Sequence, residues 1–383
     1  MRVNPLFYLL FLLVSLSSFF WLVLLYRFIK GFANVPVLER FEEDGESCVT
    51  AVIPARNEER CIAQTIESLL MQKAISKIIV VDDCSNDDTL SIAKRYQSER
   101  VLVLQTGEIP QGWVGKNYAC ALGAKFANTP WILFLDADTF VKDQAVSKAL
   151  TLAKQKSLDA LSLSGELRTH KVWDEIVTPF LYSLLNSFIK ASDVNDPSKG
   201  AAYFFGSFIL IKRSVYEALG GHEAVKDKLV EDRALAVLAK KNHFKISLAR
   251  TSLVSAEYAP GVKNSVRAIE RVARQSMQRD AKIAFGFCVA ISLLFFLPYL
   301  GLFFVEQDPT HLLFVFSVLG LLAPLALSVK SAKMIRSNPL FAILFPVAQA
   351  HFAFALWLSF IKSVTNAPVI WRERAYTKQI SKI

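Results

Sequence analysis

Residues 6–26, LFYLLFLLVSLSSFFWLVLLY, run for 21 positions without a charged side chain. As a helix rising 1.5 Å per residue, such a run crosses about 30 Å of hydrocarbon. A cleaved secretory leader has a shorter apolar stretch and a small-residue cleavage site. Here the run continues into Arg27 and Lys30, as an uncleaved anchor does. A second apolar region, 282–361, offers three more candidates at 283–305, 312–329 and 339–361. Apolar residues make up 53% of the 383, and they are concentrated in these two regions. The stretch between them, roughly 46–265, reads as one globular domain with a well-buried core.

Charge fixes an expected orientation. Arg27, Lys30 and Arg40 follow the first run and only Arg2 precedes it, which places the following domain in the cytoplasm. Glu306, Gln307 and Asp308 form a short acidic loop suited to the outer face, and Lys330, Lys333 and Arg336 mark a return. Three crossings in series would leave the tail outside, yet it carries Lys362, Arg372, Arg374, Lys378 and Lys382, and Pro346 interrupts the last candidate. The sequence leaves open a crossing against the charge rule, a re-entrant segment and an interfacial one. The organisation expected is an anchor at 1–30, a catalytic domain at 46–265, a basic interfacial segment at 266–281, membrane helices at 282–361 and a basic tail at 362–383.

Lys and Arg number 44 against 34 Asp and Glu, a net charge of +10. The basic residues near 263–282 flank a membrane segment, so an anionic membrane surface, not nucleic acid, is the expected partner. The five cysteines (Cys48, Cys61, Cys84, Cys120, Cys288) show no CxxC spacing and the five histidines no HExxH. No disulfide framework or zinc site follows, and cysteine usage fits a reducing compartment.

Within 46–265, strand and helix patterns alternate. VTAVIPA (49–55), SKIIVVDD (76–83), VLVLQ (101–105) and WILFLDADT (131–139) read as strands. Residues 58–72, 86–97 and 117–127 read as helices, with Ile62, Ile66 and Leu69 on one face of the first. The order βαβαβαβ gives an α/β fold with a mostly parallel sheet, whose ligands bind at the carboxyl ends of strands. Two acidic groups stand at such ends, Asp82-Asp83 and Asp136-Ala-Asp138. Hard oxygen ligands there suit Mg²⁺ or Mn²⁺ on a diphosphate, although a turn capped by acids has the same sequence. Glu231-Asp232 opens a helix from about 229, where the helix dipole also favours an acid pair. Gly200–Gly221 precedes it as glycines, a strand and a helix. Trp173, Phe180, Tyr182, Leu185 and Phe188 form a helical stripe that reads as core or as an interfacial helix receiving a lipid, with Lys171 and Lys190 at headgroups. Tyr203-Phe204-Phe205 reads as core and His222 as a turn residue.

Pro54-Ala-Arg-Asn57-Glu58, Asp82-Asp83, Gly112-Trp113-Val-Gly115-Lys116, Asp136-Ala-Asp138 and Glu231-Asp232, in this order, resemble family-2 glycosyltransferases of the GT-A fold. Arg271-Val-Ala-Arg274-Gln275 is similar to the family's (Q/R)xxRW element, with Gln in place of Trp. GWVGKNYAC, Asn195-Asp196-Pro197, the GGH run and Trp371-Arg372-Glu-Arg374-Ala-Tyr376 resemble the hopene-associated and carotenoid-acid branch, and ceramide glucosyltransferase is a more distant likeness. The resemblance implies a GT-A catalytic domain with one N-terminal and about three C-terminal membrane helices in the cell membrane. It implies an inverting enzyme that moves one sugar from a nucleotide-diphosphate sugar, a UDP-sugar first, to a lipid acceptor. By it, Pro54, Ala55, Asn57, Glu58, Asp82 and Asp83 line the nucleotide pocket and Asp136 meets the ribose or the metal's water shell. Lys116, Arg271 and Arg274 meet the diphosphate, Asp138 holds a divalent Mg²⁺ or Mn²⁺, and Asp232 is the general base. A processive polysaccharide synthase would need a translocating channel and an intact QxxRW, and a non-enzymatic scaffold would carry a broken acid set. The three C-terminal segments and the missing Trp argue against the first, and the presence of Asp83, Asp136, Asp138 and Asp232 argues against the second; both stay as alternatives.

Overall fold

The computed structural model describes residues 5–43, 47–258, 261–277, 280–308, 310–365, 367–371 and 374–376. Arg372, Lys378 and Lys382 of the tail lie outside the described residues, as does the side chain of Gln275. The elements, in chain order, are α1 (Pro5–Ala33), β1 (Val49–Ala55), α2 (Ile62–Leu70), β2 (Ile75–Asp82), α3 (Thr89–Lys94), β3 (Val101–Gln105), α4 (Gly115–Ala124), β4 (Trp131–Leu135), β5 (Thr139–Val141), α5 (Ala145–Gln155), β6 (Ala160–Arg168), α6 (Val172–Phe188), α7 (Ala191–Asn195), β7 (Phe208–Lys212), α8 (Arg213–Ala218), α9 (Glu231–Lys241), β8 (Ile246–Glu257), α10 (Gly261–Met277), α11 (Ala281–Leu302), α12 (Leu312–Ile335), α13 (Phe345–Val364), β9 (Val369–Trp371) and β10 (Arg374–Tyr376). They form two compact units, a sheet unit of Ala33–Arg168 and Ala191–Glu257 and a helical unit of Met1–Phe32, Thr169–Lys190 and Tyr258–Ile383.

The sheet unit holds eight strands in the order β3-β2-β1-β4-β7-β6-β8-β5. β3, β2, β1 and β4 are parallel, as their near-continuous apolar sequences require of strands covered on both faces. β4 (WILFL) is buried at every position. Each fully buried Ile, Leu or Val there contributes roughly 1.5–3 kcal/mol over exposure. β7 runs antiparallel between β4 and β6, pairing Phe208 with Leu135, while β8 returns parallel to β6. The strand expected through 131–139 ends at Leu135. The chain turns through Asp136–Asp138 and resumes as β5 beside β8. Thr65 Oγ1 donates to the Ala137 carbonyl (2.7 Å) and Thr139 N to that of Asp136 (3.1 Å), fixing the turn. Gly123 lets α4 lie directly on β1, because a Cβ there would stand 2.5 Å from Val52 Cγ1.

Among the described residues, four segments of the helical unit are long and apolar enough to cross a membrane: Pro5–Ala33, Ala281–Leu302, Leu312–Ile335 and Pro339–Val364. Small residues let them approach, as membrane helices require. Gly301 faces Val14 and Ser317, and Gly320 faces Pro298 and Ser18. Ser17 Oγ and Trp21 Nε1 donate to the Leu294 carbonyl, at 2.7 and 3.0 Å. α6 packs with them: Phe180 is fully buried against Trp21 and Phe295, and Tyr182 stacks on Phe32. Its expected stripe therefore divides, with Phe180 in the core and Leu185 and Phe188 exposed.

Contact register settles the direction of the last helix. Along α11, Gly301 meets Ser317 and Pro298 meets Gly320, so α12 is antiparallel to it. Tyr299 donates to Gln349, Phe295 packs on Phe352, Cys288 meets Leu356 and Phe285 packs on Phe360. α13 is thus antiparallel to α11 as well, and α12 and α13, consecutive in sequence, run the same way. The link between them includes a six-residue 3₁₀ turn, Pro339–Leu344. The end of α13 therefore lies beside the start of α11, as Phe360 on Phe285 shows. Pro346 does not interrupt this helix. It stands in the first turn, where its missing N–H leaves no bond unmade.

Candidate functional site

Strands β1, β2 and β3 are laid down in one direction across the sheet, and β4 then pairs on the opposite side of β1. The reversal opens a crevice beyond the carboxyl ends of β1 and β4, the usual ligand position in such sheets. The turn after β1 brings Arg56, Asn57 and Glu58 there, β2 delivers Asp82 and Asp83, and the turn after β4 delivers Asp136 and Asp138. Because β7 is antiparallel to β4, the residues before Phe208 lie at the same edge.

The loops after β1 and β2 are laced together. Asn57 takes a left-handed conformation (φ 54°), its backbone N–H donates to Ser85 Oγ (3.0 Å), and its Oδ1 accepts from Asn86 N (2.9 Å). Glu58 N donates to Thr89 Oγ1 (2.7 Å), and Arg56 Nη1 to the carbonyls of Asp83 (2.6 Å) and Cys84 (2.9 Å). Asp83 is 4% exposed, with Oδ1 3.4 Å from Thr106 Oγ1. Asp82 is fully buried; its Oδ2 accepts from Ser85 N (3.2 Å) and Gln105 Nε2 (3.4 Å), and its Oδ1 has no partner among the described residues. A buried acceptor left unmet costs about 1–3 kcal/mol.

Lys116 occupies the first turn of α4. Its Nζ is 2.7 Å from Asp136 Oδ1 and 2.7 Å from Glu231 Oε1. Burial pushes the ammonium pKa down, but Asp136 and Glu231 outweigh it and hold Lys116 well above its ordinary value. Beside Glu231, Asp232 in the first turn of α9 accepts from Arg233 N through Oδ1 (2.6 Å). Gly206 closes the cluster: a Cβ there would stand 3.0 Å from Asp232 Oδ2, 3.6 Å from Lys116 Nζ and 3.7 Å from Asp136 Oδ2. Asn117 anchors the two helix starts by donating to the carbonyls of Val225 (2.8 Å), Lys226 (3.2 Å) and Lys228 (3.0 Å). One turn into α4, burial keeps the Cys120 thiol protonated.

Of the residues expected at the site, Lys116, Asp136 and Asp232 converge around Gly206, while Pro54, Ala55, Asn57, Glu58, Asp82, Asp83 and Asp138 follow or end strands at the same sheet edge. Arg271 and Arg274 belong to the helical unit. Arg274, expected on the diphosphate, is engaged within that unit: it pairs with Glu270 (3.3 Å) and donates to the carbonyls of Lys362 (2.9 Å) and Ala367. Glu231, Gly206 and Asn117 had no role in the sequence reading. Only the acid pair and the glycines of 200–221 hinted at the first two. Asn195 is a clamp on β8, exchanging hydrogen bonds with Leu248 (2.9 and 2.6 Å). His222 is a buried turn residue. Its Nδ1 lies 2.9 Å from Tyr216 Oη, and burial lowers its pKa to about 4.

Among the described residues, no three His, Cys, Asp or Glu side chains gather into a self-sufficient metal cage. Asp136 and Asp138 instead offer one or two hard oxygens. That donor set fits Mg²⁺ or Mn²⁺ arriving with phosphate oxygens, which complete the coordination.

Residues 50–220 match the family model described as glycosyl transferase family 2. The 4,4'-diaponeurosporenoate glycosyltransferase of Staphylococcus haemolyticus (strain JCSC1435) is 29% identical over 201 residues, 51% of this chain and 52% of that protein. The protein of the same name from Staphylococcus aureus (strain bovine RF122 / ET3-1) is 31% identical over 196 residues, 49% of this chain and 50% of that one. The chain spans about half the length of these curated relatives. The solved mannosyltransferase PcManGT from Pyrobaculum calidifontis, in complex with GDP-Man and Mn²⁺, is similar in fold, with a TM-score of 0.52 and 16% identity over 91% of this chain and 99% of that one. Residues 50–220 thus resemble a glycosyl transferase family 2 domain, and the chain is similar in fold to a solved glycosyltransferase.

Proposed function

We propose that this chain is a membrane-bound inverting glycosyltransferase moving one sugar from a nucleotide-diphosphate sugar, a UDP-sugar first, onto a hydrophobic acceptor. The observation that carries the reading is the convergence of Lys116, Asp136, Glu231 and Asp232 around Gly206 at the carboxyl edge of the sheet.

The nucleotide lies in the crevice lined by Pro54, Ala55, Asn57, Glu58, Asp82 and Asp83. Lys116, held charged, meets the diphosphate. Asp136, Asp138, Glu231 and Asp232 outnumber that single ammonium, so a bare diphosphate would be repelled. A divalent Mg²⁺ or Mn²⁺ on Asp138 supplies the missing positive charge when bound. Asp232 sits where the helix dipole favours an ionised carboxylate, and it takes the proton of the acceptor's hydroxyl or carboxyl group as that group attacks the anomeric carbon. One base suffices for a single displacement with inversion, so no second carboxylate pair is needed.

The relatives named for 4,4'-diaponeurosporenoate, a carotenoid acid, support a long apolar acceptor, as do the four apolar helices. In this reading the helices lie in the cell membrane and the sheet unit faces the cytoplasm. A donor screen on the purified full chain, reading nucleoside diphosphate release with membrane lipid extract as acceptor, tests it. Release with one nucleotide sugar together with a glycosylated lipid is expected; no release with any donor would overturn it.

A further inference from the structure

Within the helical unit, α10 and α13 enclose a groove of about 340 Å³. One wall is Val262 and Val266, a turn apart on α10, and the other is Phe354 and Leu358, a turn apart on α13. This apolar surface is uncovered, with Val262 55% and Phe354 60% exposed. Lys263 and Arg267 follow the two valines on the same helix and line the groove with them.

Its base is rigid and positively charged. Glu270, 3% exposed, shares its carboxylate between Lys362 (2.8 Å) and Arg274 (3.3 Å), two cations against one anion. Arg274 also caps the Lys362 and Ala367 carbonyls at the end of α13. Lys263 and Arg267 thus add to an excess of positive charge. The groove lies near the end of α13 that packs against the start of α11, as Phe360 on Phe285 shows. In a membrane crossed by α11 and α12, this is the side of Lys330, Lys333 and Arg336, which end α12.

We propose that this groove binds one anionic phospholipid, its phosphate on Lys263 and Arg267 and an acyl chain along Val266, Leu358 and Phe354. An inorganic phosphate would use the cations and leave the apolar walls wet. A zwitterionic lipid would bring its own ammonium against Lys263 and Arg267. Each cation near an anionic lipid surface strengthens binding about fivefold, so two give a preference of roughly 25-fold. The site is independent of the sugar-transfer reading.

The test is lipid retention by native mass spectrometry of the purified full chain, equilibrated in detergent with equimolar phosphatidylglycerol and phosphatidylcholine. One phosphatidylglycerol retained with a roughly 25-fold preference is expected, and Lys263→Gln with Arg267→Gln should bring the ratio to near one. The swap Lys263→Arg with Arg267→Lys should keep it. Leu358→Ser should reduce retention of both lipids. Equal retention by the unaltered chain overturns the proposal, as does a preference that survives the double neutralisation. Displacement by millimolar inorganic phosphate would mean that the walls are unused, and displacement by a membrane extract of neutral lipids would give the groove to the acceptor; either result also overturns it. Should the neutralised chain fail to fold, the ratio in the unaltered chain and in the swap variant still decides.

Discussion

Lys116 Nζ and Glu231 Oε1 stand 2.7 Å apart, joining the first turn of α4 to the first turn of α9. The two helices come from distant parts of the chain, and this pair, with Asp136 as its third member, places Asp232 against Gly206. The site is thus held by its own charges before any ligand arrives.

Gly206→Ala tests how tightly that cluster is set. The new methyl would lie 3.0 Å from Asp232 Oδ2, with Lys116 Nζ and Asp136 Oδ2 just beyond. Relieving that contact shifts Asp232 by a few tenths of an ångström, less than the displacement of about 1 Å that costs on the order of 10²-fold. The expected result is transfer measurably reduced, by less than about 10²-fold, with an unchanged melting temperature. Transfer at the unaltered rate would show that Asp232 has room to spare.

Chelation tests the divalent ion. EDTA should abolish donor hydrolysis and transfer, and added Mg²⁺ or Mn²⁺ should restore both. Asp138→Asn should resemble the chelated protein while keeping its fold. Full activity in chelator contradicts the assignment.

The buried His222 predicts a pH dependence of stability. Burial lowers its folded pKa to about 4 from 6.5, with Glu231 and Lys116 acting in opposite senses on the remainder. Between these values the unfolded chain binds a proton that the folded chain refuses, so stability is full above pH 6.5 and falls as the pH drops towards 4. At 1.36 kcal/mol per pKa unit the loss is on the order of 3 kcal/mol. Thermal melts of His222→Phe should show a flatter slope over that interval, and an unchanged slope would assign the effect to other groups.

The direction of α13 predicts where its end lies. On a background without the five native cysteines, single cysteines at Lys333 and Ala367 should react with a membrane-impermeant thiol reagent from the same side. Labelling from opposite sides would mean a third crossing in series.

Much of this architecture was legible because it rests on local pattern. β1 and β3 begin and end where their β-branched runs do, and the βαβ order up to β4 follows from alternating periods. β4 was read too long because Thr139–Val141 is itself a strand, paired with β8 more than a hundred residues away. The acids of the site were visible as types at strand ends. What they touch was not. Glu231 as the partner of Lys116 depends on two helix starts meeting through tertiary packing, and Gly206 matters only because β7 runs antiparallel beside β4. Arg274 reads as a diphosphate ligand by motif position, and its contact with a helix end 88 residues away in sequence is not visible in that motif. Charge counting left the last membrane segment undecided, since its direction is set by aromatic and polar contacts with α11.

The most direct test of the account is Asp232→Asn, assayed for donor binding and sugar transfer on the same preparation. The substitution removes the base and keeps the shape, and loss of a general base costs about 10²–10⁴-fold in rate. The account predicts donor affinity and melting temperature as in the unaltered chain, with transfer to the lipid acceptor reduced by that factor. Transfer at a near-normal rate would contradict it, leaving Asp232 as no more than an acid at the start of a helix.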